Sequence, residues 1–396
     1  MNILVVHNYY KIPGGEDVVV AGEIDMLKEH GHNVITYFRH NDEMDSMSSF
    51  RKISMVIDTI FSLKTYKDIK MLIKSHNIDI VHVHNTLPLV SCSVYYAANS
   101  MKVPVVQTMH NFRLLCPAGT FYRNGRICED CVSKGLQCSV KHKCYRESRL
   151  QSLAVTLSMK IHRLTGIYKK INYICLTEFN KNKLLHKDVL GINPTKVFIK
   201  PNFTNGSQSE LNIFSRKNQY VVVGRLEKLK GTHVILKAWR KLGDKAPKLI
   251  FCGTGDLENK AKAYVKKYNV SNVEFKGYVD NAEVKLILAE SKALIFAPQW
   301  YETFGLVLAE SFSVGTPVIV GDIGNPGMLV EQNKTGMHFK YNNANDLAET
   351  ILSFENMLKE QYNLLQKGAH IEYSKYAREH NYEKLIKIYT ACEKLG

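Results

Sequence analysis

A chain of 396 residues exceeds one ordinary hydrophobic core and suits two domains. Its 45% apolar and 23% charged residues are those of a soluble globular protein; MNILVVHNYY lacks a basic leader and no apolar run reaches membrane-spanning length, so a cytoplasmic location is expected. The net charge of +16 is concentrated in residues 101–200, where 18 Lys/Arg face 5 Asp/Glu. A solvated surface is the ordinary reading; the sharper one is a face that meets something anionic, a membrane before nucleic acid because helix-turn-helix, zinc-finger and aromatic-basic signatures are absent.

Short β-branched runs alternate with helix-length segments, the pattern of parallel βα units. Strands are expected at ILVV (3–6), NVITYF (33–38), IDIVHVH (78–84), PVVQTMH (104–110), YICLT (173–177) and KVFIKP (196–201). After the first of them comes IPGGED (12–17), where the backbone N–H groups of Gly14 and Gly15 can face an anion. The spacing is neither GxGxxG nor GxxxxGK[ST], so dinucleotide-oxidoreductase and P-loop readings lose support.

Residues 111–148 are rich in cysteine. Five of the nine cysteines lie there, as Cys116-x11-Cys128-x2-Cys131-x12-Cys144 with Cys138 and His142 between. Cys116, Cys128, Cys131 and Cys144 offer four sulfurs to a structural zinc; free thiols, and disulfides in a less reducing setting, are the other readings. In RLQSLAVTLSMKIHRL (149–164), Leu150, Leu153, Ala154, Leu157, Ile161 and Leu164 share one helical face. Packing of that face on the sheet is the ordinary reading. The other is an interfacial helix whose neighbours Lys141, Lys143, Arg146, Lys160, Arg163, Lys169 and Lys170 rest on anionic lipid.

Residues 202–219 are polar and turn-rich and read as a linker. A second strand series follows: YVVVG (220–224), KLIFCG (248–253), VEFKGYV (273–279), ALIFAP (293–298) and PVIV (317–320), with a helical pattern after about residue 343. The expected organisation is a first domain over 1–201, the linker, a second domain over 220–375, and a final helix over 376–396 returning to the first. Two doubly wound α/β domains of this kind would face one another across a cleft at the carboxyl ends of their strands.

Four stretches of the second half carry chemistry. GRLEKLKG (224–231) places Arg225 and Lys230 before a helix start, a pairing suited to a diphosphate. CGTGD (252–256) offers Gly253 and Gly255 at the next strand end, where backbone can approach a ligand closely. GYV (277–279) ends the third strand. YETFGLVLAE (301–310) sets Glu302 on a loop and Glu310 inside the following helix, with the N–H groups of Phe304, Gly305 and Leu306 at the helix opening. A carboxylate accepts from two hydroxyls, so this pair suits a polyol.

In this order, each at a strand's carboxyl end, these stretches resemble the retaining glycosyltransferases of family 4, which have the GT-B fold. The resemblance covers nearly the whole chain, reaches Gly14, Gly15 and His110, and is strongest over 220–340. It implies that Arg225 and Lys230 bind the donor diphosphate, Glu302 the transferred sugar, Glu310 the ribose, and the backbone at Tyr278 and Val279 the base. It further implies that the Gly14–Gly15 loop lies over the phosphates and that His110 reaches the sugar near its anomeric carbon. The implied donor is a nucleotide sugar, UDP before GDP, and the acceptor a glycan or lipid-linked glycan. Bacterial surface-polysaccharide assembly on the inner membrane face is the implied setting, with no cofactor required for catalysis. GDIGNPGML (321–329) departs from the family pattern, with Met328 where an acid often lies. A nucleotide-sugar epimerase of the same shape and a non-catalytic carbohydrate- or membrane-binding relative are the alternatives; both fit the intact motif set less well.

Overall fold

The computed structural model describes residues 1–12, 14–45, 57–204 and 216–395. It divides into two compact units: Met1–Arg123, Cys128–Asn202 and Asn381–Gly396 form the first, and Asn124–Ile127 with Phe203–His380 the second.

The first unit is built on six strands: β1 (Asn2–Tyr9), β2 (Asn33–His40), β3 (Ile80–Val83), β4 (Val105–Met109), β5 (Asn172–Cys175) and β6 (Val197–Ile199). They form one all-parallel sheet in the order β2-β1-β3-β4-β5-β6. Burial on both faces explains the unbroken apolar runs: six consecutive residues of β1, Ile3 to Asn8, are buried. Helices Gly15–Glu29, Leu63–His76, Ser93–Ser100, Arg149–Leu164 and Glu178–Leu185 punctuate the strands. The last helix, Arg378–Leu395, belongs to this unit from Asn381 on, and its Tyr389 hydroxyl lies 2.7 Å from His82 Nδ1.

The second unit contains β7 (Lys217–Val223), β8 (Lys248–Cys252), β9 (Val273–Gly277), β10 (Ser291–Phe296), β11 (Val318–Asp322) and β12 (Gly336–Lys340). The order is β9-β8-β7-β10-β11-β12, again all parallel. Strand order reverses between β7 and β10 here, and between β1 and β3 in the first unit. Such reversals open a crevice beyond the strands' carboxyl ends, where doubly wound sheets bind ligands. Trp239, Tyr220, Phe251 and Phe354 fill the core under the β7 side.

Three expectations are corrected. β7 begins at Lys217, so the linker cannot extend to residue 219; its stretch 205–215 lies outside the described residues. β12 was not anticipated, since GMHFK buries only Gly336 and Phe339 and carries little strand signal.

The third concerns the helix Arg149–Leu164, whose expected apolar face is split: Ala154 is buried and Ile161 half-buried, but its leucines point outward. Leu150, Leu153, Leu157 and Leu164 are exposed, while Ser152, Thr156, Ser158 and His162 are buried. The inward groups are satisfied: Ser152 Oγ accepts from Tyr145 N–H (3.0 Å) and Thr156 Oγ1 meets Ser139 Oγ (2.7 Å). Ser158 Oγ donates to Thr59 O (3.4 Å), and His162 Nε2 donates to Ile60 O (2.9 Å). Rotating the helix would leave these groups unpaired at about 1–3 kcal/mol each, which holds the leucines outward.

Candidate active site

In the second unit the crevice is assembled from the loops after β7 and β10. Gly224 leaves β7 with φ +132°, and its N–H donates to Cys252 O (2.9 Å); Leu226 N–H donates to Thr254 O (2.9 Å). A Cβ on Gly253 would lie 2.1 Å from Gly224 O, and one on Gly255 would lie 2.5 Å from Leu226 O. These two glycines therefore let the Arg225 loop lie against its neighbour. The open approach to a ligand expected of them is occupied by another backbone. Arg225 itself projects outward, its side chain 63% exposed and 3.6 Å from Glu227.

A single turn of 3-10 helix, Lys228–Lys230, leads through Gly231 (φ +72°) into helix Thr232–Leu242. A Cβ on Gly231 would lie 2.0 Å from Ala297 O, and Gln299 N–H donates to Leu229 O (2.7 Å). Glycine thus permits the helix start to seat directly on the exit of β10. That seating sets Lys230 Nζ 2.5 Å from Glu302 Oε2, with both side chains mostly buried. The rings of Phe296 and Trp300 flank the ammonium at 5.7 and 5.8 Å.

The Glu302 loop is held from below by Asn325, fully buried, whose Nδ2 donates to Thr303 O (3.1 Å) and Phe304 O (3.2 Å). Sequence reasoning missed Asn325; it stands in the stretch where the family pattern departs, and Met328 is exposed. Phe304 is buried, so only its backbone can meet a ligand. Gly305 (φ +84°) caps the helix Leu306–Ser313. Glu310 lies within that helix. Burial holds its carboxyl above the usual range, and no donor or cation among the described residues contributes to the shift. At the end of β9, Gly277 O accepts from Gly253 N–H (2.7 Å), and Tyr278 is almost fully exposed.

In the first unit, Gly14 N–H donates to Asp17 Oδ2 (2.8 Å), and Asp17 Oδ1 accepts from buried His7 Nε2 (2.8 Å). Gly14 has extended backbone, and a Cβ there would meet nothing within 4 Å; no demand of the fold requires glycine at this point. Gly15 opens the helix. Beside it, Glu16 accepts from Tyr10 O–H (3.2 Å), and burial, then the charge of Asp17, pushes its carboxyl up to about 8.

His110 follows β4, its Nε2 2.9 Å from His84 Nδ1. Behind them, Glu23 lies 3.5 Å from His84 Nε2, 3.0 Å from His82 Nδ1 and 2.9 Å from Lys200 Nζ. Burial and His82 depress His84 to about 3, and burial with the neighbouring histidines holds His110 well below its usual value. Both rings are neutral at pH 7. A cavity of about 50 Å³ is lined by His84, Gln107, His110, Arg113, Met159 and Tyr168. Among the described residues, Arg113 Nε and Nη1 are buried without a hydrogen-bond partner, a feature not legible in HNFRLLCP.

The cysteines are free thiols. Cys131 packs with Leu136, Val155 and Met159, and burial together with Cys116, Cys144, Cys138 and Cys128 raises its thiol to about 12. Among the described residues, a group of three His, Cys, Asp or Glu side chains with ligand atoms all within 4.8 Å of one another is formed by Glu23, His82 and His84, where Lys200 already supplies a cation. Cys116, Cys128, Cys138 and Cys144 all lie near enough to Cys131 to act on its thiol.

Two parallel doubly wound sheets, the second carrying Arg225, Lys230, Glu302 and Glu310 beyond β7 and β10, are the architecture of the GT-B fold. The sequence family described as "Glycosyl transferases group 1" matches residues 205–371, and "Glycosyltransferase Family 4" matches residues 13–135. The chain is similar to an uncharacterised glycosyltransferase of Methanocaldococcus jannaschii, 25% identical over 98% of this chain and 96% of that one. It is also similar to an uncharacterised 41.2 kDa protein in the cps region of Klebsiella pneumoniae (24%; 80% and 85%). Among solved structures, Anabaena HepE in complex with UDP-glucose superposes with a TM-score of 0.67 at 14% identity, covering 98% of each chain. The chain is a glycosyltransferase of GT-B fold.

Proposed function

We propose that the enzyme moves a sugar from a nucleotide diphosphate donor, uridine before guanosine, to a glycan or lipid-linked acceptor with retention of configuration. Its setting is bacterial surface-polysaccharide assembly at the cytoplasmic membrane face. The observation that carries the donor side is Glu310: a half-buried carboxylate, to whose shift no donor or cation among the described residues contributes, suits the paired hydroxyls of a ribose. UDP-glucose in the Anabaena neighbour supports the donor class, and the cps setting of the Klebsiella relative supports the pathway.

Arg225 and Lys230 stabilise the leaving diphosphate by preorganised charge, so this chemistry requires no metal. Backbone at Tyr278 and Val279 holds the base, and the N–H groups of Phe304, Gly305 and Leu306 meet the donor. The Gly14–Gly15 loop covers the phosphates. Glu302 and His110 contact the transferred sugar, His110 as a neutral hydrogen-bonding ring. Arg113 offers unpaired donors to an acceptor phosphate beside it. The test is a nucleotide-sugar panel with acceptor, read by released nucleoside diphosphate and by NMR of the product's anomeric configuration. An α-linked product from an α-donor is expected; a β-linked product overturns retention, and donor turnover to an epimer without transfer overturns the reading.

A further inference from the structure

We infer that the outward face of helix Arg149–Leu164 is an in-plane anchor on an anionic lipid bilayer. At 100° per residue, Arg149, Leu150, Leu153, Leu157, Lys160 and Leu164 fall within an arc of about 100°. Leu150, Leu153, Leu157 and Leu164 are 65, 49, 42 and 87% exposed. The face cannot turn inward, because Ser152, Thr156, Ser158 and His162 are bonded on the other side. Ile57 and Leu63 bracket the segment whose Thr59 and Ile60 carbonyls the helix grips, and both are exposed too.

Charge selects the occupant. Between Gln137 and Lys170 there are eight Lys/Arg and one acidic residue. Lys141, Lys143 and Arg146 precede the stripe, Lys169 and Lys170 follow it, and all five are exposed. Leucines on one face with cations along its edge and at both ends suit the headgroup–acyl boundary, where the leucines enter hydrocarbon and the lysines meet lipid phosphate. The inward residues Ser158 and Met159 of the same helix border or line the His110 cavity, so docking would bring that cavity to the membrane surface. The inference deepens the acceptor side of the proposed function and rests on it for its purpose.

The experiment is flotation of the full chain with phosphatidylcholine vesicles, with and without about 30% phosphatidylglycerol, at low and high salt. Binding is expected on the anionic vesicles, weakened by salt, and reduced at least about tenfold in Leu153→Gln/Leu157→Gln. The double variant keeps its nucleotide-dependent melting shift, which separates lost docking from misfolding and from failure of the transferase reading. Absence of binding to anionic vesicles at low salt overturns the inference, as does undiminished binding of the double variant. A wild-type dimer that the double variant turns into monomer would give the stripe to a second copy of the chain and overturn it equally.

Discussion

Replacing Glu310 should separate stability from donor binding. Burial raises its carboxyl above the ordinary value of 4.5, and no partner among the described residues contributes to offset the cost. A raised folded value means the group's stabilising contribution is complete below the unfolded value and is lost as pH rises through the folded one. Glu310→Gln keeps the shape and removes the charge. It should melt above wild type at pH 7, by about 0.5–2 kcal/mol or a few degrees, and the gap should close toward pH 4. Glu310→Ala removes two charge-assisted hydrogen bonds to a ribose, together about 3 kcal/mol or more, which is roughly 150-fold in affinity. Nucleotide at about 100 times the wild-type dissociation constant adds ~2.7 kcal/mol to wild type and only ~0.3 to the alanine variant. A thermal-shift panel of UDP, GDP and their sugars reads both effects. An undiminished ligand shift in Glu310→Ala would refute the ribose assignment, and a Glu310→Gln protein no more stable than wild type would refute the cost of the half-buried carboxylate.

Lys230→Ala leaves the buried Glu302 carboxylate unpaired; we expect a loss of about 1–3 kcal/mol in urea denaturation, relieved in Lys230→Ala/Glu302→Gln, while kcat/KM falls about 10²–10³-fold in both. Gly231→Ala meets Ala297 O at a positive φ and should cost about 2 kcal/mol or more, whereas Gly14→Ala, in open space at extended φ, should keep stability within about 0.5 kcal/mol yet lower turnover. Burial, then the charge of Asp17, raises Glu16 to about 8 against the opposing pull of Arg113 and Tyr10; its contribution is whole below pH 4.5 and drains by at most about 1.4 kcal/mol per pH unit toward pH 8. Melting temperatures across pH 5–9 should therefore fall for wild type and stay flatter for Glu16→Gln; parallel curves would show that Glu16 is ionised throughout.

Much of this fold was legible because parallel strands buried on both faces write themselves as apolar runs, and the expected strands lie within a few residues of the observed ones. Motif order placed Arg225, Lys230, Glu302 and Glu310 on the correct elements. Their partners were not legible. Lys230 meets Glu302 across 72 residues only because Gly231 lets one backbone sit on Ala297, and a glycine in sequence does not say which backbone it admits. Gly253 and Gly255 show the same limit, having served a neighbouring loop. Periodicity showed that helix 149–164 has an apolar face but could not say where it points. The sign was the opposite face, where Ser152, Thr156, Ser158 and His162 recur and need partners.

The ionisation states of the two units bear on the chemistry proposed for them. His84 is held near 3 and His110 well below its ordinary value, because burial and like neighbours penalise the imidazolium. Neither ring can protonate a leaving phosphate at neutral pH. Protein stabilisation of the departing diphosphate then falls to cations, and at the second unit's switch point these are Arg225 and Lys230. Lys230 is already neutralised by Glu302 at 2.5 Å. A donor diphosphate entering there competes for the ammonium, and the carboxylate it displaces is freed to accept from the sugar hydroxyls. One ion pair thus presents a phosphate ligand and a sugar ligand in a single exchange. On this account Lys230→Ala and Glu302→Gln lose affinity for an intact nucleotide sugar non-additively, while for the nucleoside diphosphate alone Glu302→Gln binds as tightly as wild type or tighter. Isothermal titration of UDP against UDP-sugar on the two single variants and the double decides it: additive losses, or a UDP affinity that Glu302→Gln lowers, would mean that the pair does not exchange.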